Sequence, residues 1–246
     1  MTIFVFDAIE YKKLFLGTVK DLVPSLQADA SEASASVLQM IDAFLQSIDV
    51  MQRIDVDRQR QAAAQLEPAE ITEIAHYAFS LLLEIANSAA AKGMQKEMML
   101  LYRLSLPIVV WLKRHHGEIK ILDIVVNAIG SYANELQDNT ELESLCQLVT
   151  DVVSIVSADI RQDLEATNPA RPWRILNLNW GIVATRSHNP VLMQQVFEQL
   201  IENIPADAKQ FFHEGMQQMD IIGYPQPVRD VMEAFSQQFG NQASLH

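Results

Sequence analysis

The sequence predicts an all-α protein of antiparallel helical hairpins stacked as an irregular solenoid or bundle, and three observations carry that expectation. Glycine (8) and proline (9) are scarce among 246 residues, as expected where helices fill most of the length and short turns the rest. Val37, Met40, Ile41, Phe44, Leu45, Ile48 and Met51 recur at i, i+3, i+4 and i+7, the period of an amphipathic helix. The stretch from Pro172 to Phe239 is punctuated as two helical hairpins, with Gly181 and Gly215 34 residues apart. A glycine inside a helix costs about 1 kcal/mol relative to alanine, so each implies a second helix packed close against it. Hydrophobic residues make up 49% of the chain, ample for a continuous core.

From the N-terminus, Phe6, Ile9, Leu14, Phe15, Leu16, Val19 and Leu22 are collected by one helix ending before Pro24, and residues 25–36 read as a surface connection. The charged run Arg53 to Arg60 continues the helix through Val37 to Met51 or terminates it at the surface, and Pro68 falls in the first turn of the next. That third helix runs out near Lys92, where Gly93 takes the left-handed C-terminal position. Residues 94–114 form a largely apolar helix that Pro107 kinks or divides, closed by His115, His116 and Gly117. Residues 119–132 are helical, and Asp138, Asn139 and Thr140 cap a helix through Val156. Two prolines in ATNPARP mark the boundary between an N-terminal bundle (1–165) and C-terminal hairpins (166–246), or a loop within one continuous domain.

The net charge is −13, which repels a phosphate backbone, so nucleic acid is not an expected partner. The single Cys146 precludes an intramolecular disulfide and sits on an apolar helical stripe as a small hydrophobe. The first residues place their apolar run ahead of their positive charges, unlike a secretory signal, and the longest apolar runs fall short of the roughly 20 residues of a membrane span. The expected setting is the cytoplasm, with no membrane partner.

Glu73 and His76 share a helix face at i, i+3 spacing, as in carboxylate-bridged di-iron bundles, but no second Glu-x-x-His occurs. His213-Glu214 begins like a zinc-hydrolase helix, yet Gln217 stands where the second histidine belongs. The adjacent His115 and His116 point about 100° apart on a helix and suit helix-end capping. Phosphate-binding, dinucleotide-binding and nucleophile-elbow glycine motifs are all missing. No cofactor and no catalytic residue is expected.

Between Ala166 and Phe197 there is no aspartate or glutamate, while Arg171, Arg174, Arg186 and His188 lie there among Trp173, Asn177, Asn179 and Trp180. In so acidic a chain this island is a candidate recognition surface for a carboxylate-bearing partner. Arg174 to Asp207 also resembles a tetratricopeptide repeat, a helix-turn-helix unit of about 34 residues. Gly181, Ala184, Phe197 and Pro205 fall at its glycine, small, aromatic and proline positions, whereas Asn177 occupies the place usually held by tryptophan. The resemblance spans about a quarter of the chain and implies a tetratricopeptide-like groove for a peptide or partner helix, lined by Ile175, Leu178, Ile182, Thr185 and Arg186. The expected function is therefore a non-catalytic helical scaffold or adaptor, binding a protein or peptide through Arg171, Arg174, Leu178, Asn179, Ile182, Thr185, Arg186 and His188. The alternative is a helical enzyme, or a small-ligand or metal-binding protein, with a site in the N-terminal bundle around Glu73, His76, His115 and His116.

Overall fold

The structure, a computed structural model, describes residues 5–60, 66–164 and 166–242. These are helical nearly throughout: α1 (Ala8–Thr18), α2 (Leu22–Ala28), α3 (Glu32–Gln59), α4 (Pro68–Ala91), α5 (Gln95–Arg103), α6 (Ser105–Arg114), α7 (Asp123–Glu135), α8 (Asn139–Ile155), α9 (Ala158–Arg161), α10 (Pro172–Arg186), α11 (Pro190–Asn203), α12 (Pro205–Ile222) and α13 (Gln226–Gln242). Among the described residues there is no strand, and one isolated parallel bridge joins Ile119 to Val156. The chain divides into two compact units, residues 1–132 with 154–157 and residues 133–153 with 158–246. The proline-rich segment 166–172 lies inside the second.

In the first unit α4 packs against α3, α5 and α6, and α1 packs against α3 and α5. Phe15, Phe44, Phe79, Ile48, Met51, Leu82 and Trp111 are fully buried. The Phe15 and Phe44 rings lie 4.5 Å apart, and each side chain so buried stabilises the fold by about 1.5–3 kcal/mol. The Tyr11 hydroxyl donates to the Leu104 carbonyl, tying α1 to the break between α5 and α6.

Local chemistry sets most boundaries. Asp7 accepts from the Ile9 and Glu10 amides at the start of α1. Pro68 opens α4, where the Glu67 amide donates to the Glu70 carboxylate at 2.9 Å. Gly93 ends α4 at φ +75°, and Asp138 accepts from Thr140 and Glu141 ahead of α8. Pro107 sits in the first turn of α6, so residues 94–114 are divided at Leu104.

Three expectations are corrected. The N-terminal segment is two helices, since α1 ends at Thr18 and Pro24 occupies the first turn of α2, where its missing N–H has no helical partner to lose. The expected connection 25–36 shortens to residues 29–31, between the end of α2 and the start of α3, which Ser31 caps by accepting from Ser34 at 3.2 Å. Ile119 is extended, its amide donating to Ile155 at 2.8 Å and its carbonyl accepting from Ser157 at 3.0 Å, so α7 starts only at Asp123.

In the second unit α10 packs on α11, α12 on α13, and α11 on both α12 and α13. Phe197 lies 5.0 Å from Phe212 and 5.3 Å from Phe235, an edge-to-face aromatic core. Asn177, fully buried on α10, donates to Trp173 O and accepts from Asn203 of α11, both at 2.8 Å, so a buried amide stitches the hairpin with its polar atoms paired. Gly181 of α10 and Gly215 of α12 mark close approaches. A Cβ built on Gly181 would stand 2.5 Å from Phe211 Cζ, and one on Gly215 would stand 2.7 Å from Met232 Sδ.

Candidate binding cavity in the second unit

The acid-free island opens with an ion cluster. Arg171 is only 4% exposed; its Nε donates to Asp163 at 2.6 Å and its Nη2 to Asp207 at 2.8 Å, while Arg174 Nε reaches the other Asp207 oxygen at 2.6 Å. Burial alone would raise the Asp207 carboxyl, but hydrogen bonds from Arg174 and Arg171 outweigh it and hold the group below the usual carboxylate range. The guanidinium groups of Arg171 and Arg174 are thus taken up in tying α10 to the first turn of α12. Leu178 and Asn179, further along α10, are half-buried.

The C-terminal half of α10 is different. Ile182, Thr185 and Arg186 line a cavity of about 290 Å³ together with Phe211, Glu214, Gly215, Gln218, Met219, Ile222, Tyr224 and Met232 from α12, α13 and the turn between them. Most of that lining is apolar. Gly215 contributes by leaving out a side chain, and Ile182 and Ile222 stay 46% and 60% exposed, an apolar rim that nothing covers among the described residues. Thr185 turns its hydroxyl back onto Gly181 O at 2.8 Å. Arg186 donates from Nη1 to Ala133 O and from Nη2 to Leu136 O, both at 2.7 Å, satisfying carbonyls at the end of α7. His188, exposed and left-handed at φ +57°, sets its ring edge-on to Tyr224 at 5.3 Å. Burial raises the Tyr224 hydroxyl above its ordinary value, against an opposing pull from Arg186.

Of the eight residues expected to bind a partner, the structure brings Ile182, Thr185 and Arg186 together in the cavity and sets His188 against its Tyr224 wall. Arg174 is about 18 Å from Arg186 along the helix at 1.5 Å per residue, so the island presents two separate sets of side chains. The α12 and α13 contributors were missed in the sequence. Their signal was the pairing of an in-helix glycine, Gly215, with the apolar Ile221-Ile222 before a turn glycine.

In the first unit, His115 and His116 line a second cavity, of about 320 Å³, with Ile54, Asp57, Arg58, Leu66, Glu67, Pro68 and Ile71. His115 Nε2 lies 2.6 Å from Asp55 Oδ1 and its ring packs on Trp111 at 4.8 Å. Burial lowers His115 below its ordinary value despite the upward pull of Asp55. Glu73 is exposed and paired with Lys120 at 2.6 Å, and the buried His76 Nδ1 has no hydrogen-bond partner among the described residues. Neither lines the His115 cavity. Among the described residues no group of three or more histidine, cysteine, aspartate or glutamate side chains is placed to hold a metal ion. The His213 ring contacts Gln217 at 3.1 Å on an exposed face. Burial pushes the Cys146 thiol up to about 12, the range of an unreactive core group.

Comparison of the chain with protein-family models, curated proteins and solved structures found no match in any of the three. Among the described residues no helix is long and apolar enough to cross a membrane.

Proposed function

We propose that the protein is a non-catalytic helical scaffold or adaptor, resident in the cytoplasm, whose second unit captures a protein or peptide partner through the cavity walled by α10, α12 and α13. The observation that carries this is the exposed apolar rim of Ile182 and Ile222 around a cavity of about 290 Å³, large enough for one or two bulky side chains of a partner. The tetratricopeptide-like register supports it: Gly181 stands at a close helix approach, Ala184 and Phe197 are buried, and Pro205 opens α12. In such a scaffold the first helix of each pair faces the partner, and here α10 supplies Ile182 and Arg186.

The test is differential capture. Wild type, Ile182→Asp and Ile222→Asp are compared as baits in one lysate, with native folding checked by circular dichroism. Both substitutions fall on exposed positions and leave the core intact. A partner held by wild type and lost by both variants supports the proposal, and equal retention by all three overturns it.

The alternative, a small-ligand protein or enzyme centred on the first unit, is favoured by the 2.6 Å His115 to Asp55 pair beside the second cavity. Among the described residues no serine, threonine or cysteine lines that cavity to serve as a nucleophile, so the site suits ligand holding better than acyl transfer.

A further inference from the structure

We infer that what enters the cavity of the second unit carries a carboxylate: a partner segment presenting a large apolar side chain with an aspartate or glutamate beside it. This rests on the docking proposal above and names the chemistry of the occupant. Arg186 is the ground for it. No carboxylate lies within ion-pair distance of its guanidinium among the described residues, where it donates to two backbone carbonyls at 2.7 Å.

Those carbonyls orient the group without neutralising it, because a helix C-terminus offers only about half an elementary charge. Two of the five guanidinium N–H groups are engaged, which leaves three for a ligand. Tyr224, on the same cavity wall, adds a hydroxyl with no hydrogen-bond partner among the described residues. Every other arginine of the acid-free island is paired with an aspartate, Arg171 with Asp163 and Asp207 and Arg174 with Asp207. The carboxylate that does line the cavity, Glu214, is on α12 and accepts from Gln210 at 2.7 Å. A fixed cation within an apolar wall is matched by an anion attached to an apolar body.

Three matched probes of one size test this: 4-phenylbutyrate, 4-phenylbutyramide and 4-phenylbutylamine. Binding is read from the ¹³C-methyl signals of Met219 and Met232, which line the cavity. The acid is expected to shift both signals and to bind about tenfold or more tightly than the amide, as one charge-assisted hydrogen bond provides, with the amine weakest. Arg186→Gln should bring the acid down to the level of the amide. Should that variant lose its fold with the two carbonyl contacts, Tyr224→Phe and Ile222→Asp serve instead, each expected to weaken the acid more than the amide. Equal binding of acid and amide to the wild type overturns the carboxylate inference while leaving apolar docking intact. No shift of either methyl signal with any probe overturns it as well, and the capture experiment then decides separately whether docking survives.

Discussion

Gly181→Ala tests the packing on which the cavity depends. In an isolated helix the change stabilises by about 1 kcal/mol, since alanine is the best helix former and glycine among the worst. In the folded chain the new methyl would stand 2.5 Å from Phe211 Cζ and 3.0 Å from Leu200 Cδ1, against the roughly 3.5–4 Å of ordinary carbon contact. Leu200 is fully buried, and the Phe211 ring rests edge-on against Phe197 at 5.7 Å, so neither side chain yields freely. Overpacking of this kind costs about 1–3 kcal/mol, and subtracting the propensity gain leaves a net loss of about 1 kcal/mol. Gly17→Ala is the internal control: Gly17 is in α1 with nothing among the described residues within 4 Å of a built Cβ, so that substitution should stabilise by up to about 1 kcal/mol. Urea denaturation, with native-state hydrogen exchange on the α10 and α1 amides to assign each effect to its unit, measures both. A gain in α10 equal to that in α1 would refute the close approach of α10 to Phe211 and, with it, the shape of the cavity wall.

Arg171→Ala should destabilise the second unit by about 3 kcal/mol in urea denaturation, because Asp163 and Asp207 would keep largely buried carboxylates without their shared cation. Gly93→Ala should cost about 1–2 kcal/mol on the same measurement, since φ +75° is strained for any residue with a Cβ and the site is otherwise open. His115 gives a signed pH dependence. Its folded-state value is lowered from 6.5, so the unfolded chain binds the proton more readily; its effect on stability is nil above about 6.5 and becomes a loss as pH falls below that, complete once pH is under the folded value. Thermal denaturation from pH 8 to pH 5 should show this slope in wild type and a shallower one in His115→Gln; identical slopes would refute the burial of a neutral imidazole.

Helix existence was legible because it is written within a few residues. Pro68 in the first turn of α4, the Asp138 cap ahead of α8 and the left-handed Gly93 act on their own neighbours along the chain. Where local signals were ambiguous the prediction slipped: Pro24 serves a helix stop or a helix first turn equally well, and Ile119 continues an apolar pattern until its backbone pairs with Ile155 and Ser157, over 30 residues away. The candidate site was legible in part. The missing acids between Ala166 and Phe197 pointed to α10, but could not say which of its arginines were already neutralised.

The sequence by itself determined an all-helical chain, the boundaries of α4 and α8 and the two glycines that need a close neighbour, because propensity, capping and steric volume are properties of a residue and its immediate surroundings. Only the tertiary structure decided that Arg171 and Arg174 face Asp163 and Asp207 while Arg186 faces two carbonyls, and that Ile182 meets Ile222, Tyr224 and Met232 around one cavity. The Arg171 to Asp207 pair joins residues 36 positions apart and the Arg186 to Ala133 contact residues 53 apart, and that proximity is set by how the helices pack rather than by any one of them.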